Sequence, residues 1–262
     1  MRTKPITFAI LGDSAASGVG DYDGSGRTRG WCVRLANAFT GTINVIHVAR
    51  PGAQSKEVRE TQLLQALAMK PDIAAIVVGG NDALRNGFNP VSLYENLRQT
   101  VAAIKERGAE ILMLQLHDPT QIVPMPKLLK RVLLRRIDAV NEVYEQLAME
   151  YELILLKTRS LPNIYDLKLW HFDRMHPNTN GHFVLASYFR DALVKRGWKL
   201  EEITPPNQRE FSRVQLISWM LKNGLPWFFK RSFDLLPAAI LLMAMELCRI
   251  ALGRIGKVIR AI

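Results

Sequence analysis

The sequence of 262 residues has little cysteine and no apolar stretch long enough to cross a membrane. Its two cysteines, Cys32 and Cys248, are far apart and match no metal-ligand spacing, which argues against a disulfide scaffold and against a zinc site. An apolar run of eleven residues occupies 235–245, whereas a membrane-spanning helix needs about 20. We therefore predict a protein with reduced thiols, no bound metal and no transmembrane helix.

Several motifs that would identify a function are also absent. The glycine-rich segment 18–28 lacks the third glycine of a dinucleotide fingerprint and the lysine of a P-loop. There is no Gly-x-Ser-x-Gly elbow and no His-Glu-x-x-His motif, which argues against an ordinary α/β-hydrolase and a zinc peptidase. Residues 1–5 lead into an apolar run too short for a signal peptide. We expect a cytoplasmic protein that needs no cofactor.

The composition supplies enough apolar material for a large core. Hydrophobic residues make up 48% of the chain and charged residues 23%, which suits one sizeable domain with an appendage. The formal net charge is +11. An excess of this size favours an anionic partner, either nucleic acid or an anionic membrane surface, and the position of the basic residues must decide between them.

Short apolar runs alternate with amphipathic patterns along the chain. The runs typical of buried strands are 7–11, 43–48, 73–78, 111–116 and 153–156. The helical patterns are 31–39, 56–69, 90–107, 127–150 and 179–196. Ser55 and Asn178 precede two of these helices and are predicted as their N-caps. Five strands that alternate with helices predict an α/β fold, with a five-stranded parallel sheet covered on both faces.

Residues that could take part in catalysis follow four of these strands. Ser14 comes after the first strand, Gly52 after the second and Asn81 after the third, and the pair Asp173 and His176 follows the fifth. Because the carboxyl ends of parallel strands meet at one edge of a sheet, these residues should converge there. A serine nucleophile needs a base, a group that orients the base, and donors for the oxyanion. The pattern therefore predicts a serine hydrolase site.

These residues also carry a family resemblance. Gly12-Asp13-Ser14 with Gly18, then Gly52, then Gly79-Gly80-Asn81-Asp82, and finally Asp173-x-x-His176-Pro177 resemble the four ordered blocks of the SGNH, or GDSL, hydrolases. The resemblance covers about residues 5–197. It implies a flavodoxin-like three-layer sandwich that hydrolyses esters. One departure is Ala15, where the family often has leucine.

The resemblance also implies a role for each matching residue. Ser14 would be the nucleophile, His176 the general base and Asp173 the group that orients His176. The oxyanion would be bound by the backbone N–H groups of Ser14 and Gly52 and by the side-chain amide of Asn81. Apart from the resemblance, we interpret Asp82 as a structural residue that braces the turn that presents Asn81.

Histidine is present at four further positions. His117 follows the fourth strand at the same predicted edge, which makes it a candidate for contact with the substrate. We interpret His47, His171 and His182 as structural residues.

The substrate class stays open at this level. We favour an acyl or lipid ester, but the same resemblance fits a carbohydrate O-deacetylase, a thioesterase or an acyltransferase. A catalytically inactive membrane adaptor would be a different class, and the complete set of catalytic blocks argues against it.

The residue pattern changes at Pro205-Pro206, so we predict a hydrolase domain over 1–205 and a separate tail over 206–262. The tail has nine basic against three acidic residues, a net charge of +6, and aromatic residues between 219 and 233. A 238–262 helix would have a basic face and apolar faces, which is typical of helices that lie on anionic membranes. We therefore expect a protein peripheral to the inner face of the membrane. Packing of the tail on the domain and a homo-oligomer contact are the alternatives, and nucleic acid is less favoured because the aliphatic runs are long.

Overall fold

The computed structural model describes residues 5–23, 25–206, 240, 241, 243, 244 and 246–249. One sheet contains five parallel strands, in the order β2-β1-β3-β4-β5. The strands are β1 (Ile6–Gly12), β2 (Ile43–His47), β3 (Ile73–Val77), β4 (Glu110–Leu114) and β5 (Ile154–Leu156). This strand order is that of flavodoxin-like folds. It confirms the α/β fold class that the sequence predicts.

In the described part of the chain up to residue 206, eight α-helical segments join and cover the strands. They are α1 (Ser14–Ser17), α2 (Gly30–Ala36), α3 (Ser55–Glu57), α4 (Leu63–Ala68), α5 (Gly80–Leu84), α6 (Pro90–Lys105), α7 (Lys127–Tyr151) and α8 (Thr179–Lys195). A π-helical segment, Val58–Gln62, joins α3 to α4. Short 3₁₀ turns cover Pro119–Gln121, Thr158–Ser160 and Leu167–Leu169.

The core has two halves, one on each face of the sheet. On one face α4, α6 and α7 pack against Ala9 and Leu11 of β1, and on the other face α2 and α8 pack against Phe8 and Ile10. Successive side chains of a strand point to opposite faces, so a fully apolar strand supplies both halves at once. The result is a three-layer sandwich.

Two local predictions about the helices are wrong. The helix expected over 31–39 ends at Ala36. Ser55 is not an N-cap: Gln54 occupies that position, and Ser55 is the first helical residue. The hydroxyl of Ser55 instead donates a hydrogen bond of 2.6 Å to the carboxylate of Asp82, a partner 27 residues away in the chain. Long-range pairing thus replaces the local bond that a serine at this position favours.

Gly12 allows β1 to pass close to β3. Its φ is +130°, and a Cβ atom at this position would lie 1.9 Å from the carbonyl oxygen of Val77. A side chain therefore cannot be accommodated in this conformation. The glycine of the Gly-Asp-Ser block sets the direction in which the chain leaves the strand.

Most of the predicted tail lies outside the described residues, including most of the 238–262 helix. The described positions between 240 and 249 are helical. In the part of the chain that the structure describes, no helix combines the length and the hydrophobicity needed to cross a bilayer.

Candidate active site

Ser14 begins the short helix α1 directly beyond the carboxyl end of β1. Gln62 holds this end of the strand, because its side chain accepts a hydrogen bond from the Gly12 N–H at 2.7 Å and donates one to the Gly12 carbonyl at 3.0 Å. Asp13 caps α1 by accepting a bond from the Ala15 N–H at 2.9 Å. The backbone on both sides of Ser14 is therefore fixed.

Asp173 and His176 lie in one tight turn before α8. The Asp173 carboxylate accepts hydrogen bonds from the backbone N–H groups of Met175 and His176, at 2.9 and 3.0 Å. Between them Arg174 adopts a positive φ of 53°. The sequence spacing of three residues thus becomes a closed loop that aligns the carboxylate with the imidazole.

The three side chains form a continuous chain of hydrogen bonds. His176 Nε2 lies 2.7 Å from Ser14 Oγ, and His176 Nδ1 lies 2.8 Å from Asp173 Oδ2. Ser14 and His176 are 162 positions apart in the sequence. The structure therefore brings together the three residues that the resemblance assigns to a triad, in the order hydroxyl, imidazole, carboxylate.

Asp173 stays ionised in this environment. Burial opposes its charge, but hydrogen bonds from His171 and His176 outweigh burial and hold the pKa of Asp173 well below its usual value. The Nδ1 atom of His171 lies 3.4 Å from the same Oδ2 atom. His171, predicted to be structural, thus touches the carboxylate that His176 uses.

The other two predicted residues, Gly52 and Asn81, lie on neighbouring loops. The Asn81 amide donates a hydrogen bond of 3.1 Å to the Ala53 carbonyl, so it is tied to the turn that contains Gly52. Gly52 has a φ of +88°, which suits glycine. Among the described residues, no protein acceptor binds the N–H of Ser14 or of Gly52. Both of these N–H groups are free for a ligand in the described structure.

Asp13 adds a buried carboxyl group next to the serine. Burial raises the pKa of Asp13 to about 6, while the Ala15 N–H and the nearby His176 act in the opposite direction. Its Oδ2 lies 3.5 Å from the Asn81 amide nitrogen. The electrostatic surroundings of Ser14 therefore include a second carboxyl that the sequence reasoning did not assign to the site.

His117 lies on the wall of the same site but outside the hydrogen-bond chain. Its ring packs against the ring of Trp170, with centroids 4.1 Å apart. Burial, and then proximity to His176, lowers the pKa of His117 to about 3, so its imidazole is neutral. Its Nε2 atom is buried without a hydrogen-bond partner in the described part of the chain.

A large cavity of about 460 Å³ opens at Ser14 and His176. Asn81 and His117 line it, whereas Gly52 does not. One wall is apolar and comes from the first half of α7, from the loop before it and from the segment after β5: Val123, Met125, Leu129, Val132, Leu133, Ile137, Ile164, Leu169 and Trp170. The sequence reasoning missed this wall. The apolar spacing at 129, 132, 133 and 137 was the available signal, but it is equally typical of a helix packed on a core.

No group of three histidine, cysteine, aspartate or glutamate side chains within the described residues is arranged to hold a metal.

His182 is buried and bonded to the backbone, which agrees with its interpretation as a structural residue. Its ring accepts a hydrogen bond from the Trp31 N–H at 3.1 Å and lies 3.0 Å from the Val19 carbonyl.

Comparison with known proteins places this site in a family. The profile of the GDSL-like Lipase/Acylhydrolase family matches residues 10–183. Thioesterase 1/protease 1/lysophospholipase L1 of Escherichia coli K12 is 27% identical over 190 residues, which are 71% of this chain and 83% of that protein. An arylesterase of Vibrio mimicus is 30% identical over 126 residues, 48% of this chain and 57% of that protein.

Solved structures of lipases and esterases have a similar fold. A crystal structure of a lipase/acylhydrolase from Enterococcus faecalis superimposes with a TM-score of 0.57 at 15% identity, and the match covers 78% of this chain and 100% of that one. This likeness confirms the fold, while the family match spans more than half of the sequence and includes Ser14 and His176. The resemblance seen in the sequence is therefore confirmed: the chain belongs to the GDSL-like lipase/acylhydrolase family and is a hydrolase that acts on ester bonds.

Proposed function

We propose that this protein hydrolyses acyl or lipid esters by a covalent mechanism in which Ser14 is the nucleophile, His176 the general base and Asp173 the group that orients His176. The observation that carries the proposal is the hydrogen-bond chain, with 2.7 Å between Ser14 and His176 and 2.8 Å between His176 and Asp173. Both distances are within the reach required for proton transfer and orientation.

The reaction has two stages in this arrangement. Ser14 Oγ attacks the carbonyl carbon of the ester while its proton passes to His176 Nε2. His176 then returns that proton to the departing alkoxide, which leaves as an alcohol, and the acyl group stays on Ser14 as an ester. In the second stage a water molecule attacks the acyl carbon while its proton passes to His176 Nε2, and His176 returns this proton to Ser14 Oγ as the carboxylic acid leaves. Ionised Asp173 stabilises the imidazolium that forms in each stage.

Three donors are proposed for the oxyanion: the N–H groups of Ser14 and Gly52 and the amide of Asn81. The two free N–H groups support this role, because preorganised donors need no rearrangement when negative charge develops. The Asn81 amide has two hydrogens. One binds the Ala53 carbonyl at 3.1 Å, and the other makes only a long bond of 3.5 Å to Asp13 Oδ2, which the oxyanion would replace.

The apolar cavity supports an acyl group of several carbons as part of the substrate. Its volume of about 460 Å³ is within the range of small-molecule sites. Leu129, Leu133 and Trp170 would surround the acyl chain, and neutral His117 would contact the substrate near the scissile bond. An acetyl group would leave most of this surface empty, so a carbohydrate O-deacetylase is a weaker match than an acyl hydrolase.

Chain-length dependence tests this substrate class. For a series of p-nitrophenyl esters, kcat/KM is expected to rise about fourfold for each added methylene until the cavity is filled, since burial of one CH₂ is worth about 0.8 kcal/mol. Leu133→Trp would fill part of the cavity. It should lower kcat/KM for octanoyl and longer esters roughly tenfold and leave the acetyl ester almost unchanged.

Leu134→Trp is the matched control, because Leu134 is the next residue of α7 and does not line the cavity. A preference for acetyl over octanoyl esters in the unmodified protein would contradict the acyl-ester proposal.

A thioesterase is the second candidate, because the Escherichia coli relative carries that activity in its name. The proposed acyl cavity and triad suit an oxyester and a thioester equally, since the two substrates differ only in the leaving group. Rates for an oxyester and a thioester with the same acyl chain distinguish them.

We also propose that 1–205 is the hydrolase domain and that the basic tail, 206–262, binds anionic membranes. The described helical positions support this proposal. Glu246 is buried and pairs with Arg135 of α7 at 2.8 Å, whereas Ile240, Leu241 and Leu247 are exposed. The carboxylate thus points towards the domain and the apolar side chains point to solvent, as expected of a helix that meets lipid on its outer side.

Vesicle co-sedimentation of the full-length protein tests the tail. Binding should require anionic lipid and weaken at high salt without vanishing, because basic residues near an anionic surface contribute about 1 kcal/mol each and apolar burial is insensitive to salt. Replacing Ile240, Leu241 and Leu247 together by serine should reduce binding at least tenfold.

The control replaces three exposed apolar residues of the hydrolase domain, Leu64, Val91 and Met149, by serine. Equal binding by neutral and anionic vesicles, or an equal loss in the control, would overturn the membrane proposal.

A further inference from the structure

Asp82 is a partly buried carboxylate that connects the two loops on which Gly52 and Asn81 lie. It follows Asn81 directly in α5, and its partner Ser55 lies three residues after Gly52. Asp82 does not contact Ser14 or His176 through any hydrogen bond among the described residues. Any effect of Asp82 on the reaction must therefore act through the positions of the two loops.

Three hydrogen bonds join Asp82 to Ser55. The Ser55 N–H lies 3.2 and 3.1 Å from the two carboxylate oxygens, and the Ser55 hydroxyl donates to Oδ1 at 2.6 Å. Ser55 is itself 2% exposed. Hydrogen bonds to an ionised acceptor are about twice as strong as neutral ones, so this junction is a strong one.

The junction is anchored to the core. The side-chain amide of Asn96 in α6 donates a hydrogen bond of 3.1 Å to the Ser55 hydroxyl. The helix α6 is fixed in turn by Leu97 and Val101, which are fully buried. The helix α6 therefore holds Ser55, and with it the turn before Ser55, in a fixed position.

The Asn81 amide forms a second link between the same two loops, beside the Asp82–Ser55 junction. The Asn81 amide donates to the Ala53 carbonyl at 3.1 Å. Two successive residues of α5 thus bind Ala53, which follows Gly52 directly, and Ser55, the first residue of α3. Two such bonds fix both the distance and the relative rotation of the loops, which one bond alone would not do.

The Asp82 carboxylate is partly desolvated at this junction. Burial raises the pKa of Asp82, while the Ser55 hydrogen bonds act to lower it. A neutral side chain would fill the same space without the desolvation of a charge.

We propose that Asp82 is a positioning residue that sets the separation of the two loop donors, the Gly52 N–H and the Asn81 amide, for the transition state. This inference rests on the proposed oxyanion role of these two groups. Displacement of a catalytic group by about 1 Å can reduce the rate roughly a hundredfold. In the proposed function the ground-state substrate would be bound mainly by the cavity wall, so its binding should depend much less on Asp82.

The test is the kinetics of Asp82→Ala, with rates normalised to active sites titrated by a fluorophosphonate. We expect kcat to fall roughly 10- to 100-fold, with KM nearly unchanged. The affinity for an alkyl boronic acid, which forms a tetrahedral adduct at the serine, should fall by the same factor as kcat/KM. Asp82→Asn, which keeps one oxygen acceptor for Ser55, should restore part of the rate.

Asp72→Ala is the matched control. Asp72 is another partly buried carboxylate that accepts a backbone hydrogen bond, from the Thr7 N–H at 2.8 Å, but it precedes β3 at the opposite edge of the sheet. Its loss should lower the melting temperature and leave kcat per active site unchanged.

Two results would overturn the inference: unchanged kcat in Asp82→Ala, or a loss confined to KM. If Asp82→Ala does not fold, the comparison of Asp82→Asn with Ser55→Ala decides, because each weakens the junction and each should lower kcat with KM retained. Failure of the unmodified protein to react with the fluorophosphonate at Ser14 would refute the proposed function itself, which separates the two outcomes.

Discussion

Ser14→Ala is expected to abolish reaction with a fluorophosphonate and to lower kcat for a short activated ester by roughly a millionfold, the scale of loss when a triad serine is removed. The reason is geometric. Ser14 Oγ lies 2.7 Å from His176 Nε2, and no other hydroxyl is paired with that nitrogen in the described residues. Without Oγ the imidazole has no proton to accept, and no acyl-enzyme can form. Intact-mass spectrometry after labelling, together with initial rates, measures both effects.

Ser17→Ala provides the control in the same helix. Ser17 is buried in α1 and donates a hydrogen bond of 3.2 Å to the Ser14 carbonyl, so its loss perturbs the same short segment and leaves the Ser14 hydroxyl in place. This variant should label normally. Turnover retained in a folded Ser14→Ala protein would show that another residue is the nucleophile.

Asn81→Ala is expected to lower kcat by about 10²- to 10³-fold, or about 2.7 to 4 kcal/mol of transition-state stabilisation, as for a single oxyanion donor in other enzymes. The negative charge on the carbonyl oxygen appears only in the transition state, so the amide contributes little to substrate binding. KM should therefore change little. Steady-state kinetics at several ester concentrations separate the two parameters.

Asn86→Ala is a suitable comparison for this second variant, since Asn86 is an exposed asparagine shortly after α5. It should behave like the unmodified protein. A rise in KM with kcat preserved in Asn81→Ala would instead identify Asn81 as a residue that binds the ground state.

The sequence alone was sufficient for the fold and the family. Each strand is a short apolar run between turn residues, and each long helix has the expected apolar periodicity, so local patterns determined the order of the elements. Alternation of strands and helices then allowed few topologies other than a parallel sheet. The strand order makes the carboxyl ends adjacent, which is why Ser14, Asn81 and His176 could be grouped before any distance was known. Their catalytic roles stay predictions until the variants are measured.

The tertiary structure decided which groups touch. Ser55 looks like a helix cap in the sequence, yet it binds Asp82, and the first half of α7 looks like a core helix, yet it lines the cavity beside Ser14. Arg135 and Glu246 are 111 positions apart and still form an ion pair. Local propensity describes how a segment interacts with itself and with water. Cavities, ion pairs and the alignment of a triad depend on contacts between distant segments, and such contacts exist only after the chain has packed.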